Sequence, residues 1–454
     1  MLKFKKFDIE DIEKLKKYIS SPARFSCETT FVNLIVWQNM YNNMYAICED
    51  MLFIKSGGVE METYRLPFGS NLQRGFEILR EYTKQEYPPL WVQQGERFID
   101  FKLNYGEHYE FIPDRDAFDY IYLQEDLAKL SGKKYHSKRN HISAFSKQYE
   151  WEFKEINQSD ISQVLECMNE WYAENSDRFD RHMQCEKDGV ELILKNMERL
   201  GVSGGAVYVD GKVVAFTLGS PINRDIFDIH IEKALPQYAT AYTVINNEFA
   251  KTLGKYKFIN REDDLGLEGL RKAKLSYKPH ILLKKYLCIS KKDRLKQIYN
   301  SAFGEDDNTF EEALFENCFK YCEYLEKDGR IVSMCFCLPC KIGDKEAKYI
   351  FAVTTPEEFR GNGYASELIN KIKTESDCIL VLRPVNESLI GFYKALGFCE
   401  FTATNTMGDF SLTPLDEFEE LSKQYKETKG EFTAMYYSKE QEELDNIYFP
   451  YSMP

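Results

Sequence analysis

Two glycines between an apolar strand and a helix give this chain its clearest chemistry. The strand is the apolar run 349–354, and the turn after it contains Arg360, Gly361 and Gly363. From Tyr364 onward, apolar residues recur with helical spacing, so the first unpaired N–H groups of a helix follow the glycines directly. Glycine lets the backbone approach a pyrophosphate closely, and the helix dipole favours negative charge there. The pattern predicts a phosphate-binding loop.

A second pattern follows this loop in the sequence. A short apolar strand at 378–382 leads to Asn386, and the next helix ends in the run 392–398, which contains Tyr393. A tyrosine on an amphipathic helix often has only a packing role. Beside a phosphate-binding loop, we expect Tyr393 to act as a proton donor instead.

These motifs resemble the GNAT superfamily of acyl-CoA-dependent N-acyltransferases, whose hallmark is Arg/Gln-x-x-Gly-x-Gly/Ala followed by an Asn-led helix ending Tyr-x-x-x-Gly-Phe. The first motif is matched by Arg360, Gly363 and Ala365. The second motif is matched by Asn386, Tyr393, Gly397 and Phe398. The resemblance implies acetyl-CoA as cosubstrate and Tyr393 as the catalytic acid. The cofactor-binding residues that it implies are Phe351, Ala352, Val353, Arg360, Gly361, Asn362, Gly363, Tyr364, Ala365 and Asn386.

The first 285 residues carry a different set of motifs, which are 26–34 with Trp37, 116–122, 132–141, 229–234, 245–249 and 260–275. They resemble an uncharacterised bacterial family related to the C-terminal catalytic domain of phosphatidylglycerol lysyltransferases. That family, like the Fem peptidyltransferases, has two GNAT-like folds in tandem. The resemblance implies an α/β (α+β) chain of three GNAT-like folds in a row, each a mixed, mostly antiparallel sheet flanked by helices. We expect the domains to be 1–130, 131–285 and 286–454.

Local patterns predict some elements of these folds. Alternation around Asp210-Gly211 predicts a hairpin from Ala206 to Gly219. In the last domain we expect a first strand at 287–290, helices at 292–303 and 310–319, strands at 321–326 and 331–338, and a late helix at 416–426. Closing strands should follow residue 401.

The second unit differs from the last one at the turn after its central strand. Residues 234–242 contain no Gly-x-Gly, so ordinary pyrophosphate binding is not expected there. An aminoacyl-tRNA donor, a small polar ligand or no ligand remain as alternatives. Asp228, His230 and Glu232 alternate in phase and form either a solvated strand face or part of a substrate cleft. The candidate substrate-binding residues of that cleft are His230, Glu232, Arg261, Glu262 and Asp264.

Composition and charge restrict the partners. The net charge of −14 argues against DNA binding, and no apolar run approaches the roughly 20 residues of a membrane-spanning helix. The N-terminus lacks a signal-peptide pattern, so we expect a cytoplasmic protein without membrane insertion. A basic stretch is either a solvated helix face or a contact for aminoacyl-tRNA. Its members are Lys129, Lys133, Lys134, Lys138, Arg139 and Lys147.

The twelve cysteines form no paired framework, and we expect them to be reduced. The only cluster in the sequence, Cys335, Cys337 and Cys340, lacks a plain fourth ligand. We therefore expect no metal.

Together these features predict an N-acetyltransferase that moves an acetyl group from acetyl-CoA to a primary amine of a small molecule or peptide. The N-terminal tandem region would recruit substrate or perform a second acyl transfer. The alternative is that this region is an aminoacyl-tRNA-dependent aminoacyltransferase, or a sensory module that binds an amino acid or peptide.

Overall fold

In the computed structural model, the described residues are 2–19, 24–57, 61–178, 180–304, 309–342, 345–404, 410–414, 431–439 and 447–448. The chain divides into two compact units, Met1–Glu107 with Ile112–Cys288, and His108–Phe111 with Ile289–Pro454. Division of the N-terminal part at residue 130 stays a prediction, as does the border at 285. Within the described stretches, no helix combines the length and the apolar character needed to cross a bilayer.

The strands are β1 Lys5–Lys6, β2 Met44–Cys48, β3 Met51–Gly57, β4 Glu62–Tyr64, β5 Leu90–Gln93, β6 Tyr109–Pro113, β7 Asp119–Leu123, β8 Trp151–Glu155, β9 Ser203–Val209, β10 Lys212–Pro221, β11 Ile226–Ala234, β12 Phe258–Asn260, β13 Ile281–Leu283, β14 Lys285–Ser290, β15 Cys322–Lys327, β16 Arg330–Ile342, β17 Lys345–Thr354, β18 Ile379–Leu382, β19 Cys399–Thr404, β20 Phe410–Pro414, β21 Glu431–Tyr437 and β22 Ile447–Tyr448.

The helices are α1 Ile12–Ile19, α2 Phe31–Val36, α3 Gln38–Tyr41, α4 Leu72–Thr83, α5 Glu96–Tyr105, α6 Gln124–Lys129, α7 His136–Gln148, α8 Ile161–Glu174, α9 Arg181–Lys195, α10 Met197–Leu200, α11 Ala241–Thr252, α12 Glu268–Ser276, α13 Lys291–Phe303, α14 Thr309–Asn317, α15 Tyr364–Glu375 and α16 Glu387–Ala395.

These strands form three mixed sheets. Their orders are β1-β2-β3-β4-β5-β14-β6, then β13-β7-β12-β11-β10-β9-β8, and finally β15-β16-β17-β18-β21-β19-β22-β20. The second sheet contains one parallel pair at its centre, β11 with β12, and the third has the corresponding pair β17 with β18. Three mostly antiparallel sheets with flanking helices confirm the predicted fold class.

The third sheet is covered by helices on both faces. Phe336 and Phe351 pack with residues of α13 and α14, whereas Cys335 and Ile350 pack with residues of α15 and α16. This division follows from the two-residue period of a strand, which sends neighbouring side chains to opposite faces. The packing holds β17 between two apolar layers.

The second sheet is built in the same way. Residues of α8 and α9 pack on the face that includes Phe216 and Ile231, and residues of α7 and α11 pack on the face that includes Val207 and Val214. The parallel strands β11 and β12 lie at the centre of this sheet.

Several local predictions are confirmed. The hairpin β9–β10 turns at Asp210 and Gly211, with φ of 51° and 77°, as the mirror-image turn of a tight hairpin requires. The predicted helices near 292–303 and 310–319 are α13 and α14. Strands β19–β22 lie where the closing strands were predicted, with β19 beginning two residues earlier, at Cys399. The helix predicted at 416–426 lies outside the described residues.

One strand belongs to a different sheet from the one that we predicted. The strand expected at 287–290 exists as part of β14, but residues Lys285–Cys288 pair with β5 of the first sheet. Local composition identifies a strand but carries no information about its partner, which explains the error.

Candidate functional site

A gap opens between the two parallel strands of the third sheet. Strands β17 and β18 pair only from Ala347–Tyr349 to Ile379–Val381. Strand β17 continues to Thr354, and beyond Tyr349 this edge has no ladder partner among the described residues. The backbone along this edge can therefore accept an extended ligand by adding main-chain hydrogen bonds, as in strand addition.

A β-bulge lies within the open part of β17. Phe351 pairs with Phe336 and Thr354 pairs with Met334, so Ala352 and Val353 together oppose the single residue Cys335. Ala352 has a φ of 54°, which is uncommon for a residue with a side chain. Bulges re-aim backbone groups and are frequent beside active sites. The bulge falls at three residues predicted to contact the cofactor.

The predicted phosphate-binding loop lies between β17 and α15. Gly361 and Gly363 have φ values of 80° and 79°, and Gly363 is the N-terminal cap of α15. A Cβ atom built at either glycine would meet no atom within 4 Å, so these positions require glycine for its conformation and have open space beside them. No side chain of the described residues caps the helix. Its first N–H groups can therefore bind an anion.

Two side chains brace this loop from within. Asn362 Nδ2 donates to the carbonyl of Phe359 at 3.0 Å, and Arg360 Nε donates to the carbonyl of Thr355 at 3.3 Å. Both residues were predicted to bind the cofactor, and here they also fix the loop conformation. Tyr364 and Ala365 begin α15 and are partly exposed.

The remaining predicted residues of this unit lie on α16. Asn386 caps the helix, since its Oδ1 accepts from the N–H of Leu389 at 3.0 Å. Tyr393 is 6% exposed, and its ring lies 5.7 Å from that of Phe398. Burial raises the pKa of Tyr393 above its ordinary value, so the phenol stays protonated at neutral pH. The hydroxyl has no hydrogen-bond partner among the described residues. Its proton is therefore not engaged by another acceptor of this unit, as proton transfer to a leaving group requires.

A second group of interest lies in the N-terminal unit, where the second sheet opens in the same way. Strand β11 pairs with β12 only through Ile226–Asp228, and it continues to Ala234. Asp228 is fully buried, and the side chains of His230 and Glu232 are 3% and 11% exposed. The predicted polar face of this strand is therefore buried and is not a solvated face.

His230 and Glu262 contact each other, as the cleft hypothesis requires. His230 Nδ1 lies 3.1 Å from Glu262 Oε1, and Nε2 lies 2.8 Å from Ser220 Oγ. Asn33 Nδ2 also donates to Glu262 Oε1, at 2.9 Å. Glu262 adopts a φ of 56° directly after β12, which turns it toward this group.

Glu232 and Arg261 form a second pair. Arg261 Nη2 donates to Glu232 Oε1 at 2.8 Å, and Asn246 Nδ2 donates to Glu232 Oε2 at 3.1 Å. The guanidinium of Arg261 lies 4.9 Å from the ring centre of Tyr277, while its Nη1 is buried without a hydrogen-bond partner. An unpaired buried donor of this kind is suited to an anionic or carbonyl ligand.

Asp264 does not share these contacts. Its carboxylate accepts from Arg271 Nε at 2.9 Å and from Arg115 Nη1 at 3.1 Å, and it also accepts from the hydroxyl of Tyr120. Burial would raise the pKa of Asp264, but the hydrogen bonds from Arg271 and Tyr120 outweigh it and hold the pKa at about 2. The predicted cleft thus consists of two contacting pairs, with Asp264 in a separate ionic group.

Sequence reasoning missed a buried ionic group beside His230 and Glu262. Lys285 is fully buried, and its Nζ lies 2.7 Å from Asp119 Oδ1 and 2.9 Å from Glu28 Oε1. Cys27 donates through Sγ to Asp119 Oδ1 at 3.2 Å. Burial alone would lower the pKa of Lys285, but Asp119 and other anionic neighbours raise it well above its usual value.

Asp228 completes this group. Neither of its carboxylate oxygens has a hydrogen-bond partner, and His230 Nδ1 lies 3.4 Å from Oδ2. Burial, together with Glu262 and Asp119, raises the pKa of Asp228 well above its usual value. Cys27, Glu28 and Asp119 stand in segments that the sequence singled out, whereas Lys285 carried no signal.

Two residues of the basic stretch are neutralised locally. Lys129 pairs with Glu125 at 2.5 Å, and Lys134 pairs with Asp126 at 2.9 Å. Lys138 lies over the ring of Tyr277, and burial lowers its pKa to about 8. These contacts reduce the charge available to an RNA backbone, and the tRNA contact stays a prediction.

Two known families match this chain, one in each of the two regions that the sequence motifs distinguish. The family described as "Phosphatidylglycerol lysyltransferase, C-terminal" matches residues 21–289, and the "Acetyltransferase (GNAT) family" matches residues 292–398. The first match covers more than half of the chain.

Individual relatives each cover part of this chain. A crystal structure of a conserved protein of unknown function from Bacteroides thetaiotaomicron is 36% identical, covers 64% of this chain and 100% of its own, and has a TM-score of 0.60. The structure of L-PGS from Bacillus licheniformis is 17% identical over 63% of this chain and 92% of its own, with a TM-score of 0.44. An uncharacterised protein of Mycoplasmoides gallisepticum is 27% identical over 172 residues, which are 37% of this chain. The match spans only 55% of that relative.

Both family matches concern the transfer of acyl or aminoacyl groups. The chain therefore belongs to the family of the phosphatidylglycerol lysyltransferase C-terminal domain, and it carries a GNAT-family acyltransferase domain after it.

Proposed function

We propose that the C-terminal unit binds acetyl-CoA and transfers its acetyl group to a primary amine. The observation that carries this proposal is the open edge of β17, which leads directly into a glycine loop at the uncapped start of α15. The open strand edge suits the amide groups of a pantetheine arm. The helix start suits the pyrophosphate at the end of that arm.

The reaction needs little covalent assistance. A neutral amine attacks the thioester carbonyl, so that a C–N bond forms and the C–S bond breaks, with the electron pair leaving on sulfur. A backbone N–H at the bulge near Val353 would stabilise the developing oxyanion, which is the largest single effect in many acyl transfers. Loss of the amine proton to solvent completes the step.

Tyr393 would protonate the departing thiolate, and the phenolate left on Tyr393 would then regain a proton from solvent. Its side chain is largely buried, its phenol is protonated at neutral pH, and its hydroxyl donates to no described residue. These are the properties of a general acid. Asn386 uses Oδ1 to cap α16, which would leave its Nδ2 to orient the cofactor.

The acceptor class that we propose is an amine of a small molecule or peptide, with the N-terminal unit recruiting it. One observation favours a second function there, namely aminoacyl transfer from aminoacyl-tRNA. The gap beside β11 is lined by charged, buried side chains, and Arg261 keeps an unpaired donor in it. Such a gap suits a polar aminoacyl group better than a pantetheine arm.

The proposal is tested by following release of the CoA thiol from acetyl-CoA in the presence of a panel of polyamines, amino acids and peptides. We expect at least one amine to accelerate thiol release in the full chain and not in the Tyr393→Phe variant. Thiol release that is independent of every amine, together with no binding of acetyl-CoA, would contradict the proposal. Formation of an aminoacyl product from aminoacyl-tRNA would support the second function.

A further inference from the structure

Three potential metal ligands converge in the N-terminal unit. Cys27 Sγ, a carboxylate oxygen of Asp228 and a carboxylate oxygen of Glu262 all lie within 4.8 Å of one another. A thiolate and a carboxylate oxygen bound to one tetrahedral zinc ion lie about 3.6 Å apart. This spacing falls within the 4.8 Å limit that the three atoms share.

These ligands come from separate parts of the chain. Cys27 begins a short 3₁₀ turn that ends at Thr29, Asp228 lies on β11, and Glu262 follows β12. Asp228 and Glu262 thus come from two adjacent parallel strands, at the point where these strands separate. An ion at this point would join the turn to the centre of the second sheet.

Asp228 supplies an observation that is independent of this clustering. It is fully buried, yet neither carboxylate oxygen has a hydrogen-bond partner. A buried carboxyl group without a hydrogen-bond partner is costly, and native proteins normally pair such a group or use it to bind a metal. A carboxylate oxygen of Asp228 lies within 4.8 Å of Cys27 Sγ and of a carboxylate oxygen of Glu262.

Neither neighbouring basic side chain satisfies this carboxylate, because Lys285 pairs with other acids and His230 Nδ1 lies 3.4 Å from Asp228 Oδ2 without forming a hydrogen bond. Lys285 Nζ lies 2.7 Å from Asp119 and 2.9 Å from Glu28, and its distance to Cys27 Sγ is 3.7 Å. Its charge is therefore engaged by two other acids. The carboxyl groups of Asp228 and Glu262 therefore remain available as ligands for a cation.

We propose that Cys27, Asp228 and Glu262 bind a divalent cation, and that the ion is zinc. Zinc accepts both thiolate and carboxylate ligands, whereas magnesium and calcium avoid sulfur. On binding, the S–H bond of Cys27 breaks, the proton passes to solvent, and the sulfur electron pair forms the metal bond. Three protein ligands leave a fourth position for water or a substrate atom.

The surrounding residues are arranged as a supporting shell. His230 Nδ1 lies 3.1 Å from Glu262 Oε1, and Asn33 Nδ2 donates to the same oxygen at 2.9 Å. Ser220 holds the other nitrogen of His230 at 2.8 Å. Hydrogen bonds of this kind orient ligating carboxylates, and their loss typically weakens metal binding by about 10- to 100-fold.

The test uses the full chain, purified without an affinity tag that binds metal. Metal content is measured by mass spectrometry, and the chain is then stripped with a chelator and titrated with cobalt, which reports thiolate ligation through a charge-transfer band. We expect close to one zinc per chain as purified. The cobalt-loaded chain should show the thiolate band.

Two variants and one control assign the ligands. Cys27→Ala should abolish the thiolate band, and Asp228→Asn should weaken zinc binding by at least about 10-fold. Cys167→Ala, which removes another buried thiol of the same unit, should leave both unchanged. The cobalt spectrum of the unmodified chain tests thiolate ligation even where Cys27→Ala does not fold.

Three results would overturn the proposal. The first is a stripped chain that binds neither zinc nor cobalt. The second is a thiolate band that persists in Cys27→Ala. The third is stabilisation of the chain by a primary ammonium compound such as lysine amide, without any response to zinc, which would show that the negative pocket holds an organic cation.

Discussion

The second and third sheets each contain an opening between two parallel strands, and different side chains line the two openings. In the second sheet, β11 pairs with the parallel strand β12 at three positions and then continues alone. In the third, β17 pairs with β18 at three positions and also continues alone. The first opening is lined by buried charged side chains. The second offers a bulged strand edge beside apolar packing.

The turn after the open strand also differs. Strand β17 is followed by a 3₁₀ turn and then by Gly361 and Gly363, both with positive φ. Strand β11 is followed by a 3₁₀ turn at Pro236–Tyr238 and by α11, whose first residue Ala241 is fully buried. The first helix start has open space beside its glycines, whereas the second begins with a buried alanine.

The gap between parallel strands is present in both sheets. Under the proposed functions, the side chains at the gap and the conformation of the next turn decide between a nucleotide cofactor and a polar or cationic ligand.

The largest effect is expected at the glycine loop. Gly363→Glu should abolish binding of acetyl-CoA, because φ of 79° disfavours a side chain and a carboxylate would repel the pyrophosphate. Calorimetric titration measures the loss, which we expect to exceed 100-fold in affinity. Gly329→Glu is the matched control, since Gly329 has a φ of 77° in a hairpin turn of the same unit. Equal losses in both variants would show that the effect is strain alone.

A change at Tyr393 should affect turnover more than binding. Tyr393→Phe removes the proton donor and should lower kcat by about 100-fold, with little change in the affinity for acetyl-CoA. Tyr437→Phe is the control, because the rings of Tyr393 and Tyr437 both lie 5.7 Å from that of Phe398. Full activity of Tyr393→Phe across pH would refute its role as the acid.

The charged opening should be sensitive to loss of one partner. Glu232→Ala leaves Arg261 buried without its carboxylate, and we expect the free energy of unfolding to fall by about 3 kcal/mol. Chemical denaturation measures this change. Glu268→Ala should show no measurable change, since its ion pair with Lys272 is 79% and 73% exposed. An unchanged stability of Glu232→Ala would mean that Arg261 is not held by this pair.

The smallest effect is expected at Asp264 and depends on pH. Its folded pKa of about 2 lies below the ordinary 3.8, so it stabilises the fold above pH 4 and loses this effect as pH falls through 2. Asp264→Asn should cost about 1 to 2 kcal/mol at neutral pH, reduced by the partial exposure of Arg115 and Arg271.

The difference in unfolding free energy between Asp264→Asn and the unmodified chain should shrink between about pH 4 and pH 2. Asp225→Asn, at an exposed carboxylate, should show no such difference. A difference in unfolding free energy that grows on acidification would contradict the predicted lowering of the pKa of Asp264.

Prediction from the sequence succeeded best for features whose residues are neighbours along the chain. The glycine loop, the hairpin at Asp210-Gly211 and α16 each depend on a few consecutive residues, so their turn and capping chemistry can be read locally. The buried ionic group could not be predicted in this way. Cys27 contacts Asp119 across 92 positions and Lys285 across 258.

Asp264 illustrates a different limit. Its closeness to Glu262 in sequence suggested a shared cleft, but Glu262 and Leu265 have φ values of 56° and 50°. These left-handed residues turn the chain, and the carboxylate of Asp264 meets Arg115 and Arg271 instead. Alternation along β11 indicated a shared polar face but could not show that this face is buried.

The central claim is that only one of the two openings receives CoA. Calorimetric titration of CoA and acetyl-CoA into the full chain tests it most directly, because the method reports the number of sites. We predict one site per chain, which disappears in Gly363→Glu. Two sites, or one site that survives Gly363→Glu, would show that the charged opening binds CoA, and no binding would contradict the assignment altogether.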